Sequence, residues 1–298
     1  MPYARSGFVR LYFEECGSGT PLIFAHEFGG DLYSWEPQLR FFSRRYRCIA
    51  YNARGWPPSG VDTDPKANTE SHAAEDLVAV LRHLEITKAH VVGLSMGAHA
   101  ALLTAIRTPA VAHSVTIAGL GYGSDPSTRA QFERDTRAFA ERFDTMSAKD
   151  AIQPYAANPY RVQYQNKDPR GWEDFRQRFE AHSAAGSAAA LRGVTLRRTR
   201  VSEMGAELRS VRLPMLVITG DEDEPCIEAS LFIKRNCASA SLAMMPSTGH
   251  AVNLEEPDTF NRLLLDFLTL VDAGRWRPRD PRSLGRSTLA PNANAALR

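Results

Sequence analysis

A serine, an aspartate and a histidine stand in this chain in settings that suit nucleophilic acyl chemistry. Gly93-Leu94-Ser95-Met96-Gly97 follows the apolar run His90-Val91-Val92 and leads into the helix-like Ala98-His99-Ala100-Ala101-Leu102-Leu103. A G-x-S-x-G turn between strand and helix pushes its hydroxyl outward, with a helix N-terminus behind it. Gly93 and Gly97 keep Cβ atoms out of a turn too tight to hold them. A serine hydroxyl becomes a useful nucleophile only when a base within hydrogen-bond reach takes its proton.

Candidates for the base and its orienting acid follow downstream. Leu216-Val217-Ile218-Thr219-Gly220 reads as a strand that ends in Gly and delivers Asp221-Glu222-Asp223-Glu224-Pro225 into a loop. His250 lies in Pro246-Ser247-Thr248-Gly249-His250, after the strand-like Ser241 to Met245 and before a helix starting near Glu255. A histidine titrates near neutrality and so suits a general base. The residues alone leave both Asp221 and Asp223 open as its partner, and the bland alternative is that one or both cap a helix beginning near Cys226.

With these motifs the chain resembles the α/β-hydrolase family from about Phe8 to Val271. The resemblance rests on the nucleophile turn, Gly220-x-x-Asp223, Gly249-His250, His26-Glu27-Phe28-Gly29-Gly30 and Asn52-Ala53-Arg54-Gly55. The order serine, acid, histidine is the one this fold uses. The resemblance implies a triad of Ser95, Asp223 and His250, with an oxyanion hole made by the N–H groups of Phe28 and Met96. Glu27 departs from the pattern, because relatives have glycine there. Its side chain is expected to turn away and pair with a cation; the alternative is a part in the chemistry. Pro225 also falls earlier after the acid than in relatives. Glu27, Trp56 and Tyr155 are the candidate site-lining residues, while His26 and His99 read as packed histidines and Arg54 as structural. Arg192, Arg197, Arg198 and Arg200 suit either an anionic substrate or a solvated helix face, the latter being the default.

The elements that must position these groups alternate. Phe8 to Glu14, Pro21 to Ala25, Tyr46 to Tyr51, Ala89 to Leu94 and Ser114 to Ala118 read as strands, with helices at Ser34 to Arg44 and Glu70 to Leu84. Such alternation implies an α/β fold, a mostly parallel sheet covered by helices on both faces. From Asp125 to Arg209 only helical patterns occur, including Thr128 to Phe143 and Trp172 to Ser183, and the sheet pattern resumes at Leu213. The expected organisation is a core of residues 1–122 and 210–273, a helical lid over 123–209, and a disordered tail over 274–298.

Composition narrows the class. A chain of 298 residues with 43% hydrophobic content can bury one large core. The net charge of +2 comes from the end of the chain, where Gly274 to Arg298 holds six arginines against one aspartate. It is no footprint for nucleic acid, and no nucleic-acid partner is expected. Neither a membrane-spanning run nor a secretory signal is visible, and Cys16, Cys48, Cys226 and Cys237 lack C-x-x-C spacing, so a cytoplasmic protein with reduced thiols is expected. No metal motif and no cofactor fingerprint appears.

The expected function is hydrolysis of a small carbonyl compound, an ester first, through an acyl-enzyme on Ser95. Alternatives on the same residues are carbon–carbon bond hydrolysis or perhydrolysis, or a non-hydrolytic enzyme of the fold such as a cofactor-free dioxygenase or a lyase. A non-catalytic ligand receptor is a third class.

Overall fold

A computed structural model describes residues 2–284. Eight strands form one sheet: β1 (Tyr3–Ser6), β2 (Val9–Cys16), β3 (Thr20–Ala25), β4 (Tyr46–Tyr51), β5 (Ala89–Leu94), β6 (Ala112–Ala118), β7 (Met215–Gly220) and β8 (Ala240–Met245). Their spatial order is β1-β2-β4-β3-β5-β6-β7-β8, antiparallel over the first two pairings and parallel from β4 to β8. Central β5 and β7 are buried along their whole length, which is why they read as unbroken apolar runs.

Alternate residues of these strands serve two cores. Ile23, Ile49, Val91, Ile117 and Val217 pack on one face with α2 (Glu70–His83), α3 (Met96–Arg107), α9 (Gly205–Ser210) and α10 (Glu224–Asn236). Leu22, Phe24, Ala50, Val92 and Ile218 pack on the other with α1 (Glu36–Phe42), α11 (Val252–Glu255) and α12 (Pro257–Asp272). Two-residue periodicity in the strands thus becomes a three-layer molecule. In register, Ala25 pairs with Gly93 and Leu94 with Ala118, so the strands end together at one edge of the sheet. Ligand sites of open parallel sheets form at that edge.

Between β6 and β7 the described chain is helical: α4 (Arg129–Thr145), α5 (Ala148–Ala156), α6 (Val162–Lys167), α7 (Pro169–Glu180) and α8 (Ala184–Ala190), then α9. Helices α4 to α8 share a third core, in which Phe143, Ala151, Phe175 and Phe179 meet Phe28 and Met96 of the sheet edge. The alanine-rich α8 runs into a π-helical turn at Leu191–Thr195. Its small residues serve close approach: a Cβ on Gly186 would fall 2.1 Å from the Gly55 carbonyl oxygen.

Two expectations need correction at the chain's ends. The first strand does not begin at Phe8, which is fully exposed at the tip of a hairpin whose turn holds Gly7 at φ +60°. The hairpin's other arm, β1, buries only Ala4, too little apolar pattern to announce a strand. At the far end, the segment read as a tail is in part held. Trp276 packs edge-on to Phe267 at 4.6 Å between ring centroids, its Nε1–H donates to the Ser239 carbonyl at 3.0 Å, and the Arg279 N–H donates to the Ala238 carbonyl. A tryptophan carries enough apolar surface to dock a polar segment. Residues 285–298 lie outside the described residues. No helix among the described residues is long and apolar enough to cross a membrane.

Candidate active site

Ser95 occupies the step from β5 into α3 with φ 55° and ψ −107°, a conformation costly for a residue with a Cβ. Its surroundings enforce it. A Cβ on Gly93 would lie 2.2 Å from the Gly97 carbonyl oxygen, and one on Gly97 would lie 2.1 Å from that of Ala25. Backbone bonds lock the turn: the Ser95 N–H donates to the Ala118 carbonyl at 2.8 Å and the Gly97 N–H to that of His26 at 3.1 Å. The second bond ties the loop after β3 to the serine turn. Phe28, on that loop, and Met96 both border the cavity that Ser95 faces, and among the described residues neither N–H has an acceptor. Two free N–H groups beside a serine are the elements of an oxyanion hole.

His250 borders the same cavity of about 290 Å³. Its Nδ1 lies 2.8 Å from Asp223 Oδ2. A carboxylate only accepts, so Nδ1 carries the proton and Nε2 of the neutral ring is left as the basic nitrogen. Burial opposes charge on this imidazole, but Asp223 and Glu27 outweigh it and hold His250 above the ordinary histidine range. Asp223 stands at the N-cap position of α10 yet makes no capping bond. Asp221 instead accepts from the Thr248 N–H at 3.1 Å, bracing the loop that carries His250. The geometry therefore brings Asp223, and not Asp221, to the histidine.

Glu27 is fully buried, does not border the cavity, and forms a two-pronged ion pair with Arg161. The Tyr155 hydroxyl donates to the same carboxylate at 2.9 Å. Burial alone would raise this carboxyl, but Arg161 and then His250 hold it below the usual carboxylate range. Arg161 also lies over the Tyr155 and Phe175 rings, 4.7 and 4.6 Å from their centroids. Tyr155 borders the cavity. Trp56 does not: it packs on His26 and edge-on to Phe28, behind the site. His26 is a packed loop histidine, its Nε2 accepting from the Ala53 N–H at 3.0 Å and its Nδ1–H donating to the Glu27 carbonyl at 2.7 Å. Arg54 pairs with buried Asp76, and His99 Nε2 with Glu70 at 2.9 Å.

A family model described as the alpha/beta hydrolase family matches residues 22–263. The chain belongs to this family. Among curated proteins, it is 29% identical to "Putative carbamate hydrolase RutD" of Azorhizobium caulinodans over 91% of this chain and 100% of that one. It is 25% identical to 3-oxoadipate enol-lactonase 1 of Acinetobacter baylyi over 84% and 89%. Among solved structures, the enol-lactonase from Burkholderia xenovorans LB400 shares the fold with a TM-score of 0.77 at 21% identity, covering 90% of this chain and all of that one.

Three contributions to this hydrolase-family site escaped the sequence reading. Arg161 is one arginine among many, without a motif. The Tyr160 carbonyl accepts the His250 N–H at 2.8 Å, a backbone role that leaves no trace in residue type. Glu255 receives the N–H groups on either side of His250, from Gly249 at 2.6 Å and Ala251 at 2.9 Å. Its position one turn after Gly249-His250 is the only available signal. Among the described residues, the one grouping of three metal-type donors is Asp223, Cys226 and His250. Burial and Asp223 push the Cys226 thiol well up from its ordinary range.

Proposed function

We propose that the protein is a serine hydrolase that cleaves a small carbonyl compound, an ester or lactone, through an acyl-enzyme on Ser95. The observation that carries the reading is the convergence on one cavity of a serine in a strained turn, a histidine oriented by Asp223, and two N–H groups without acceptors. Ser95 attacks the carbonyl carbon as His250 Nε2 takes the hydroxyl proton. The Phe28 and Met96 N–H groups receive the oxyanion, and the His250 proton passes to the leaving oxygen. Water then attacks the acyl-enzyme with His250 again as base, releasing the acid and restoring Ser95.

Relatives named for carbamate and enol-lactone hydrolysis support this class, since both name an acyl carbon bearing a heteroatom. The non-hydrolytic alternative drew on Glu27, whose carboxylate is occupied by Arg161 and Tyr155 and serves the helical insertion's attachment. In this reading the insertion is the lid that shapes the acyl pocket, and the unpaired cysteines suit a cytoplasmic protein. The test is fluorophosphonate labelling with peptide mapping, together with turnover of p-nitrophenyl esters. Label on Ser95, and turnover lost by orders of magnitude in Ser95→Ala, are expected. Label at another residue, or full activity in the folded variant, overturns the reading.

A further inference from the structure

The cavity at Ser95 holds a cation that the proposed mechanism does not use. Arg198 follows the π-helical turn of the insertion and borders the cavity. The one hydrogen bond of its side chain among the described residues runs from Nη2 to the Tyr122 carbonyl at 2.6 Å. Among the described residues no carboxylate lies within 4.0 Å of it, whereas Arg161 pairs with Glu27 and Arg54 with Asp76. The nearby Glu70 is engaged by His99, Arg107 and Thr199. The neighbouring Arg129 is paired with Glu133 and adds to the positive field. Asp135 also borders the cavity, but it is exposed, bonded to Gln131 and not paired with Arg198.

A partly buried guanidinium with one carbonyl acceptor leaves most of its five N–H donors unused. Holding such a charge out of water is costly without a counter-ion. A planar fork matches a carboxylate with two parallel bonds. The cavity that Arg198 and Ser95 both border is lined mostly by apolar groups, among them Phe28, Phe139, Pro154 and Leu191, with Thr136, Asn158 and Thr195 as polar exceptions, and its volume of about 290 Å³ admits only a small molecule. We propose that Arg198 forms an anion subsite and that the substrate is a short ester or lactone carrying a carboxylate, held between Arg198 and Ser95. This rests on the serine-hydrolase reading and names the substrate class within it. The carboxylate fixes which end of the substrate enters, so binding at Arg198 places the acyl carbon at Ser95.

The test compares p-nitrophenyl hydrogen glutarate with its methyl-capped neutral analogue, subtracting the uncatalysed rate of each. For the wild-type protein at low salt, kcat/KM for the anionic ester is expected to exceed that for the neutral one by tenfold or more. In Arg198→Gln the ratio between the two falls at least tenfold, mainly through KM, and Arg198→Lys lies between. Should Arg198→Gln fail to fold, glutarate and glutaramide are compared as protectants of wild-type Ser95 against fluorophosphonate, glutarate protecting at tenfold lower concentration. Equal rates for the two esters, or equal protection by the two compounds, overturn the Arg198 subsite and leave the serine-hydrolase reading standing. No labelling of Ser95 and no turnover of either ester overturn both.

Discussion

At the scale of single residues, the site divides tasks between two aspartates two positions apart. Asp223 orients the imidazole and Asp221 braces the loop behind it. Asp223→Asn is therefore expected to lower kcat by orders of magnitude, because an amide NH₂ facing Nδ1 favours the wrong tautomer. Asp221→Asn keeps an acceptor for the Thr248 N–H and is expected to cost no more than a few-fold. Steady-state rates on one ester decide it, and equal losses would mean that Asp223 is not the orienting acid. The pH profile is a second check. His250 serves as base only when neutral, and Asp223 favours its protonated form, so activity falls as pH drops through a value above the ordinary histidine pKa of about 6.5. An acid limb centred below that value would show that the carboxylate is not charged beside the ring. Much of this constellation was legible, because a strained serine demands glycines and a triad follows chain order. The choice between Asp221 and Asp223 rested on resemblance alone, since residue type cannot say which carboxylate turns inward.

At the scale of elements, the loop after β3 and the helical insertion are joined at a buried ion pair, and the same stretch of insertion receives the His250 N–H. The insertion thus braces both the loop after β3 and the loop that carries His250. From sequence alone Glu27→Gly looks benign, since it restores the family's residue. The structure adds a cost in stability, because the change strands Arg161 in a dry core. Glu27→Gln and Arg161→Met are each expected to destabilise by about 3–5 kcal/mol, while the double variant loses less than the sum of the two. Denaturant unfolding of all four proteins measures the coupling, and strict additivity would show that the pair is not an energetic unit. The pH dependence carries a definite sign. The folded Glu27 pKa lies below its unfolded value, so its contribution is complete above the ordinary carboxylate range and is lost as pH falls through the folded value. The deficit of Glu27→Gln relative to wild type should therefore be constant above the ordinary carboxylate range and shrink as pH falls below it. A cation for Glu27 was foreseeable from the cost of burying a carboxylate, but which arginine supplies it was not. The pair is separated by 134 positions, and no local pattern records so distant a contact.

At the scale of the whole molecule, the sheet's middle was legible and its margins were not. Central strands are buried on both faces and read as apolar blocks, whereas β1 buries one alanine and relies on pairing with β2. The same logic applies at the other end, where α12 carries a strong apolar face but the chain beyond it is polar and arginine-rich. Composition there predicts no docking, and one residue defeats it. Trp276 sets its ring edge against Phe267 on α12 and sends its N–H to the carbonyl of Ser239, just before β8. It therefore fastens α12 to the turn that enters β8, the edge strand of the sheet. The ring is only partly buried, so its removal should cost about 2 kcal/mol, less than for a fully buried aromatic. Trp276→Ala is expected to lower the melting temperature by about 3–6 °C. Trp276→Phe keeps the ring contact, loses the hydrogen bond and should fall between the variant and the wild type. Neither substitution reaches the cavity, so ester turnover at 25 °C should persist in both. A Trp276→Ala protein that melts with the wild type would show that the contact adds no stability, and that the core of the domain ends with α12.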